Sequence, residues 1–385
     1  MKAMKPRTPT FKLFILGCQF NYYDAEKLAH KLENLGYRET TSNNAHLIIV
    51  FACSVRQKAV DRLVGHVHNW RQLPRKPHII LTACILPSDR KKLEKVVDAI
   101  VAPNILISHP KRTLGRYITP PLAESAKKVM RKRKTNYQLV DKQKTAYVTI
   151  SAGCNNFCTY CAVPITRGRE VSKPERTIIK EIESLVSQGL TSIILLGQNV
   201  NSYGLSHYFP RDLRKHIAPT GKKWSKDNPS PFVVLLKKIE KIKGLKTISF
   251  LSPNPQDMTD DLINWMANST KFSKQLNLPM QSGSDKILSK MNRRYTRAHY
   301  MALVEKIRKA VPQIFLSTDI IVGFPGETEK DFNDTVDVVK QCRFNKAFIA
   351  QYSERKGAAS CLFADNVSAI TKKKRWEILN ALINH

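Results

Sequence analysis

Long apolar runs are missing from this sequence of 385 residues. No stretch approaches the roughly 20 apolar residues that a transmembrane helix needs. The N-terminus, residues 1–10, is basic, but only the short apolar run at residues 13–16 follows it, which predicts a buried strand and not a signal peptide. We therefore expect a cytoplasmic protein with no membrane partner.

Acidic residues are also scarce beside basic ones. The chain has 31 Asp and Glu against 64 Lys and Arg, which gives a formal net charge of +33. A charge of this size creates a strong positive field and favours a polyanionic partner, so we expect nucleic acid. The alternative is a generally basic composition that serves solubility. No basic amphipathic helix stands out that would favour a membrane surface.

Several familiar catalytic arrangements are absent. None of the ten histidines has a metal-like spacing, and no Ser/His/Asp arrangement or Walker-type loop appears. Eight cysteines are present instead. Without a secretion signal these thiols stay reduced, and clustered cysteines then indicate metal or cluster ligands before disulfides.

The first 110 or so residues alternate strand and helix signals. Short apolar strands are predicted at residues 11–16, 47–51 and 78–82, with helices at 24–35 and 55–70 between them. Such alternation is typical of a parallel α/β sheet, so we predict a Rossmann-like α/β domain.

A cysteine lies at or just beyond the end of each of these strands: Cys18, Cys53 and Cys84. Ligands of open parallel sheets sit outside the carboxyl ends of the strands, where three such thiols would meet. A single cysteine of this kind is commonly only a buried packing residue. Three at equivalent positions predict a shared metal cluster.

A second series of strands predicts an open (β/α)6 barrel, since a closed barrel needs eight units. The strands are predicted at residues 146–151, 192–196, 247–251, 275–279, 315–321 and 348–351. Helices are predicted at 178–188, 232–242, 300–310 and 329–341, and residues 203–230 have the composition of an inserted loop.

The predicted organisation has four parts. An α/β domain spans residues 1–115, a basic linker 116–143, the partial barrel 144–366, and a C-terminal helix 367–385. The linker is a charge run, which is usually a solvated face and here could also contact RNA.

The motif that decides the chemistry is C-x3-C-x2-C at Cys154, Cys158 and Cys161, directly after the first barrel strand. Three thiolates in one loop can hold three irons of a cubane cluster and leave the fourth iron open for a small molecule. The alternative is a zinc knuckle, but zinc favours a fourth ligand nearby and no His or Cys lies close after Cys161.

The loop resembles the signature of radical S-adenosylmethionine (SAM) enzymes, and further motifs resemble the methylthiotransferases of that superfamily. The similarity runs from about residue 12 to residue 365. Its motifs are residues 17–21 (GCQFN), 52–56 (ACSVR), 83–84 (AC), 160–164 (YCAVP), 166–170 (TRGRE), 196–201 (LGQNVN), 281–285 (QSGSD) and 323–328 (GFPGET).

The resemblance implies two 4Fe-4S clusters and SAM as cofactors. The Cys154/Cys158/Cys161 set would cleave SAM, and the Cys18/Cys53/Cys84 set would supply sulfur. The motif contexts are closest to the branch that methylthiolates N6-isopentenyladenosine beside the anticodon of tRNA. A flavodoxin or ferredoxin would donate electrons.

Alternatives stay open at this stage. The substrate could be a threonylcarbamoyl-adenosine in tRNA or an aspartate of a ribosomal protein. The chain could instead be a basic RNA-binding metalloprotein without catalytic activity.

Supporting residues follow from their places at strand ends. Expected SAM contacts are Tyr160, Gln198, Asn199, Gln281, Ser282, Ser317 and Asp319. Arg167 and Arg169, just after the cluster loop, are expected to bind substrate. For these polar residues, turn stabilisation, core hydrogen bonding or a surface ion pair is the alternative.

Three features depart from the family pattern. Ala83 stands where the family usually has glycine, and Ser252-Pro253-Asn254 replaces a His-Pro segment. The family's small C-terminal RNA-binding TRAM barrel is expected to be absent, and the positive charge would then compensate through phosphate contacts.

Overall fold

The computed structural model describes residues 8–53, 57–118, 145–205 and 228–384. They form two compact units, Met1–Leu139 and Val140–His385. Nearly all of the predicted linker 116–143, and most of the predicted inserted loop 203–230, lie outside the described residues. Among the helices that are described, none has the length and apolar composition to cross a membrane.

The N-terminal unit is built on five parallel strands, as the alternating pattern predicts. They are β1 (Thr10–Leu16), β2 (Arg38–Glu39), β3 (Leu47–Cys53), β4 (His78–Cys84) and β5 (Ala99–Ile100), in the order β2-β1-β3-β4-β5. The described helices of this unit are α1 (Gln19–Asn34), α2 (Gln57–Arg71), α3 (Pro87–Leu93), α4 (Pro103–Ser108) and α5 (Pro110–Leu114).

Helices cover both faces of this sheet, because the central strand β3 is apolar at every position from Leu47 to Ala52. Leu47, Ile49 and Phe51 pack with α1, α4 and α5 on one face. Ile48 and Val50 pack with α2 on the other face. The strand order is that of flavodoxin-like folds, whose ligand site lies where the order reverses, between β1 and β3.

The C-terminal unit contains the six predicted parallel strands. They are β6 (Thr145–Thr149), β9 (Ser192–Leu196), β10 (Thr247–Phe250), β11 (Gln275–Asn277), β12 (Phe315–Val322) and β13 (Lys346–Gln351), with a small antiparallel pair, β7 (Ser151–Ala152) and β8 (Val171–Ser172). A bridge between Ile248 and Phe272 joins the β6-β9-β10 sheet to the segment that leads into β11, so the six strands follow one another around a partial barrel.

Helices alternate with these strands. The described ones are α6 (Val163–Arg167), α7 (Glu175–Ser187), α8 (Pro231–Glu240), α9 (Asp260–Asn268), α10 (Asp285–Lys290), α11 (Arg297–Ala310), α12 (Glu329–Cys342) and α13 (Ala369–Ile383). The apolar stripes of these helices face the strands, as in α7, where Ile178, Ile182 and Leu185 are buried.

Helix α13 covers strand β13, the last strand of its sheet. Asn384 pairs with Ala347 through two hydrogen bonds, Asn384 Nδ2 to the carbonyl (2.8 Å) and the Ala347 N–H to Asn384 Oδ1 (3.0 Å). Arg375 forms a buried ion pair with Glu327 at 2.8 Å. The Glu327 carboxylate also accepts the Gly323 N–H, so α13 is attached to the turn that follows β12.

Several predicted boundaries are wrong by a few residues, and two of the differences have a clear physical reason. Helix α1 begins at Gln19 instead of residue 24, because Phe20 and Tyr23 add a buried turn before the Leu28 and Leu32 pattern. Strand β11 ends at Asn277, two residues before Pro279, which has no N–H for a ladder bond.

Candidate functional site

The C-x3-C-x2-C loop lies at the carboxyl end of the first barrel strand, where the sequence predicts it. Gly153 opens the loop with φ +81°, and a Cβ there would lie 2.1 Å from the Arg169 carbonyl oxygen. The Gly153 N–H donates to Gln198 Oε1 (2.7 Å), and the Cys154 N–H donates to the Gly168 carbonyl (3.2 Å). The loop is therefore pinned on both sides by the TRGRE and LGQNVN segments.

The three thiols of this loop interact with one another. Burial, with the neighbouring Cys158, Cys161 and Glu170, raises the pKa of the Cys154 thiol to about 12, although a backbone N–H at Asn156 lowers it. Anionic thiolates are thus unfavourable here unless a cation compensates them. This is the donor set that an iron–sulfur cluster needs.

Two N–H groups donate to the thiols. Cys161 Sγ accepts the Val163 N–H at 3.5 Å, and Cys158 Sγ accepts Arg293 Nη1 at 3.4 Å. Hydrogen bonds to cluster sulfurs are a recurring device that sets the reduction potential. Within the described ranges, no three His, Cys, Asp or Glu side chains surround a point closely enough to hold one metal ion, so no single-ion zinc site is preformed there.

Arg293 is fixed by several partners besides Cys158. Its Nη2 donates to Asn254 Oδ1 (3.3 Å) and to the Pro279 carbonyl (3.4 Å), and its Nε donates to the Tyr295 hydroxyl (3.0 Å). Asn254 is in turn held by a reciprocal pair of hydrogen bonds with Asn201 (2.8 and 3.0 Å). The guanidinium is therefore positioned before any cluster binds.

Buried polar side chains adjoin the loop around the ends of β6 and β9, and we refer to this group as the polar pocket. Four buried side-chain oxygens have no hydrogen-bond partner among the described residues: Thr149 Oγ1, Ser151 Oγ, Glu170 Oε1 and Asn199 Oδ1. Buried polar atoms without partners are costly, and in a native structure each one needs an explanation, such as a functional role or a bound water or ion. A ligand with a protonated amine would satisfy them, and the amino group of SAM meets that requirement.

Two carboxyl groups of the polar pocket, those of Glu170 and Asp257, also favour a ligand with a positive charge. Burial and the neighbouring Asp257 raise the pKa of Glu170 to about 8, while a hydrogen bond from Ser202 (2.7 Å) lowers it. Burial also raises the pKa of Asp257, whose carboxylate accepts Asn199 Nδ2 at 2.6 Å and lies near Arg293. A bound cation would return Glu170 to its ionised form.

The predicted SAM contacts fall into different environments. Asn199 lies in the pocket with Oδ1 available, while Gln198 already accepts the Gly153 N–H and so shapes the loop. Tyr160 packs against the apolar cluster that contains Phe324 and Tyr352. The Ser282 hydroxyl lies 3.4 Å from that of Thr335 on α12.

The remaining predicted contacts lie on β12 and just after β11. Ser317 donates to Asn277 Oδ1 (3.0 Å), and Asn277 Nδ2 donates to Asp319 Oδ2 (2.7 Å). Gln281 is nearly buried, at φ +68°, and its backbone bridges to β12. Roles for all these residues in binding SAM stay predictions.

The two arginines after the loop differ in setting. Arg167 is the last residue of the short helix α6 and is half-buried. Arg169 is exposed, and its guanidinium lies 4.4 Å above the ring of Phe157, in the cluster loop itself.

The N-terminal cysteines lie at one end of the N-terminal sheet. Cys53 and Cys84 are backbone partners at the last position of β3 and β4. Cys18 follows β1, is exposed and occupies the N-cap of α1. Cys84 is buried. The backbone thus brings all three positions to the carboxyl edge of the sheet, beside the place between β1 and β3 where the strand order reverses. Three cysteines must lie at one edge in this way if they are to bind one cluster.

Sequence reasoning missed Glu170, Asp257, Asn254 and Arg293 as site residues. Asp257 and Arg293 lie far along the chain from the cysteine loop, and no local spacing connects them to it. Glu170 belongs to the TRGRE motif, but only burial distinguishes it from a surface acid.

Two family models match the chain. The model described as the radical SAM superfamily matches residues 148–339, and that described as uncharacterized protein family UPF0004 matches residues 10–102. The first covers the barrel with the cysteine loop, and the second covers the N-terminal sheet.

Curated relatives match nearly the whole chain. A tRNA-2-methylthio-N(6)-dimethylallyladenosine synthase of Lachnoclostridium phytofermentans is 38% identical over 97% of this chain and 80% of its own length. A protein of the same name from Clostridium botulinum (strain Hall) is 39% identical over 96% of this chain and 80% of its own length.

Solved structures share the fold at low identity. The radical SAM methyltransferase TsrM of Kitasatospora setae, with cobalamin and a 4Fe-4S cluster bound, has a TM-score of 0.51 at 14% identity and covers 89% of this chain and 72% of its own. The cobalamin-dependent radical enzyme OxsB has a TM-score of 0.51 at 11% identity and covers 97% of this chain and 56% of its own. Both support the α/β fold with a radical SAM barrel.

Proposed function

The chain belongs to the radical SAM methylthiotransferases, enzymes that use SAM and iron–sulfur clusters, and on that premise we propose that it installs a 2-methylthio group on N6-isopentenyladenosine beside the anticodon of tRNA. The observation that carries the proposal is the trio Cys154, Cys158 and Cys161 on one pinned loop, next to buried acceptors without partners.

The barrel residues have defined tasks in this proposal. The three loop cysteines hold one cluster, and Arg293 and the Val163 N–H bind its sulfur ligands. When bound, the cluster and SAM supply reductive cleavage of a sulfonium bond, which yields a carbon radical that can abstract hydrogen from C2 of the adenine. Asn199 accepts a hydrogen bond from the SAM amino group.

Glu170 contributes to binding of the SAM amino group through the charge of its carboxylate. Burial raises the pKa of its carboxyl to about 8, which favours the protonated form at neutral pH when no cation lies beside it. A bound ammonium group lowers that pKa again, so the carboxylate and the amine attract each other. Burial excludes water and strengthens the attraction.

The N-terminal cysteines form the second site of the proposal. Cys18, Cys53 and Cys84 would hold an auxiliary cluster where the strand order of the N-terminal sheet reverses, between β1 and β3, and that cluster would supply the sulfur for the transfer. A second SAM supplies the methyl group. The register of Cys53 with Cys84 supports this assignment.

The partners follow from charge and chemistry. A net charge of +33 suits tRNA, whose backbone phosphates dominate affinity. An unpaired loop base can be splayed into a protein pocket. The electron required for SAM cleavage comes, in this proposal, from a flavodoxin or ferredoxin.

The first experiment is nucleoside mass spectrometry of tRNA from cells with and without the gene. Loss of 2-methylthio-N6-isopentenyladenosine, with accumulation of N6-isopentenyladenosine, is expected. An unchanged nucleoside profile would overturn the substrate assignment. A change in a threonylcarbamoyl-adenosine derivative would redirect it to another tRNA base.

Cysteine variants separate the two clusters. Cys158→Ala should abolish 5′-deoxyadenosine release under anaerobic reduction, because the cluster loses one of its three protein ligands. Cys18→Ala should retain SAM cleavage and lose methylthio transfer. Cys342→Ala is the matched control, a buried thiol at the end of α12, and should retain both. Full methylthio transfer by Cys158→Ala refutes the assignment.

A further inference from the structure

An exposed aromatic side chain lies inside the cluster loop. Phe157, the residue before Cys158, keeps 36% of its surface accessible. Its φ of +49° is left-handed, a conformation that costs a non-glycine residue about 1–2 kcal/mol. Residues held in such conformations cluster at functional sites, where the surrounding structure determines them.

The surroundings of Phe157 do fix this conformation. Asn292 Nδ2, from the turn after α10, donates to the carbonyls of Asn156 (3.1 Å) and Phe157 (2.9 Å). The Glu170 N–H donates to Asn155 Oδ1 (3.2 Å), which ties the loop to the segment that carries Arg169. Phe157 and Arg169 are therefore held relative to one another by backbone contacts.

Arg169 lies with its guanidinium carbon 4.4 Å from the centre of the Phe157 ring. The guanidinium plane has two faces. One faces the ring, and because the Arg169 side chain is exposed, the other faces solvent. The Phe157 ring thus supports the guanidinium on one side, and the exposed Arg169 side chain is accessible to another planar group.

We propose that Phe157 and Arg169 form a stacking platform, on which an unpaired base of the substrate RNA lies against the outer face of the Arg169 guanidinium. This rests on the proposed function and extends it to the residues that position the RNA. Unstacked RNA bases are commonly bound on aromatic rings and on arginine planes. Asn292 is a positioning residue, because it acts through Phe157.

The competing roles of Arg169 are a phosphate contact and a contact with the SAM carboxylate. Lysine keeps the positive charge but loses both the plane and the bidentate fork, so a loss of binding in Arg169→Lys would fit stacking or a bidentate contact. Phe157→Leu keeps the whole guanidinium, so its loss of binding is the result that separates stacking from both alternatives. Phe157→Leu removes the ring beneath the guanidinium and keeps the charge.

The experiment measures binding of a fluorescein-labelled, isopentenyl-modified anticodon stem-loop RNA by anisotropy at several salt concentrations. Full-length holoprotein is used, with iron content matched between variants. Stacking predicts that Arg169→Lys and Phe157→Leu each weaken binding about 5- to 100-fold, the range for loss of one base stack. For Arg169→Lys the slope of log affinity against log salt should not change, because the charge is kept.

Arg169→Gln should weaken binding and also reduce the salt slope. If Arg169→Lys binds as wild type does, the platform is refuted in favour of a phosphate contact. If it binds RNA normally but SAM more weakly in equilibrium dialysis, the residue belongs to the SAM site and the platform is again refuted. Arg176→Lys, an exposed arginine on α7, is the matched control and should bind as wild type does.

Failure of the proposed function gives a different result. In that case wild-type holoprotein forms no methylthio product, whatever the platform variants bind. Failure of the platform alone leaves wild-type turnover intact and gives Phe157→Leu the same RNA affinity and the same KM for the stem-loop. Phe157→Trp should preserve binding, because it restores an aromatic surface.

Discussion

Arg293→Met is expected to lower the reduction potential of the barrel cluster. Arg293 donates Nη1 to Cys158 Sγ at 3.4 Å and is nearly enclosed by Asn254, Pro279 and Tyr295. The substitution removes one N–H···S bond and one half-buried positive charge. Both favour the more negative, reduced cluster, so their loss makes reduction harder.

The size of this shift follows from the charge. A unit charge about 6 Å from the added electron contributes about 3 kcal/mol at an effective dielectric constant near 20. Because a tenfold change in a one-electron equilibrium is about 59 mV, this corresponds to a midpoint on the order of 100 mV more negative. Arg293→Lys keeps the charge and should shift the midpoint by less.

The assay is a redox titration followed by electron paramagnetic resonance, in a Cys18→Ala background so that one cluster contributes the signal. Arg294→Met is the control, since Arg294 is the exposed neighbour. A midpoint that stays at the wild-type value in Arg293→Met, at normal iron content, contradicts the reasoning. A midpoint that falls equally in Arg294→Met assigns the effect to general surface charge.

Two further predictions concern the same loop. Gly153→Ala should lose most of its bound iron, because the new Cβ would lie 2.1 Å from the Arg169 carbonyl oxygen at φ +81°. Gly168→Ala meets open space, but its φ of +75° and ψ of −162° lie in a region that is almost confined to glycine, so it should lower the free energy of unfolding by about 1–3 kcal/mol and keep iron. Equal iron loss in both variants would show that the close approach is unimportant. Stability of the SAM-free protein should fall as pH rises from 4.5 to about 8, because the folded state keeps the Glu170 proton that the unfolded chain releases. Glu170→Gln removes this pH dependence. Its free energy of unfolding, measured with urea, should exceed that of wild type by about 4–5 kcal/mol at pH 9 and by little at pH 4. An increase that is the same at both pH values contradicts the assignment.

The strand pattern could be predicted closely because apolar runs between turn residues are local signals. Residues 192–196 were predicted as a strand and form β9 with the same bounds. Helix α9 (Asp260–Asn268) was missed, since its polar first turn, with Asp260 and Asp261, gives no apolar spacing. The short strands β2 and β5 have two residues each and follow only from pairing with their neighbours.

Only those site residues that lie together in one short sequence motif could be predicted. The cysteine loop contains its own spacing, so its three ligands could be named from sequence. Arg293 reaches Cys158 across 135 residues, a contact that exists only because the turn after α10 lies beside the loop. Burial gives Glu170 and Asp257 their raised pKa values, and sequence does not reveal burial at single positions.

The attachment of α13 to β13 has a consequence for biosynthesis. While residues beyond 368 are still inside the ribosome, the outer strand presents unpaired backbone groups and the exposed ring of Phe348 to other nascent chains. The buried partner of Glu327 is also missing at that stage. The outer strand is therefore covered only after residues 369–384 have left the ribosome, and chains cut before residue 369 are expected to accumulate as aggregates, although they contain all eight cysteines.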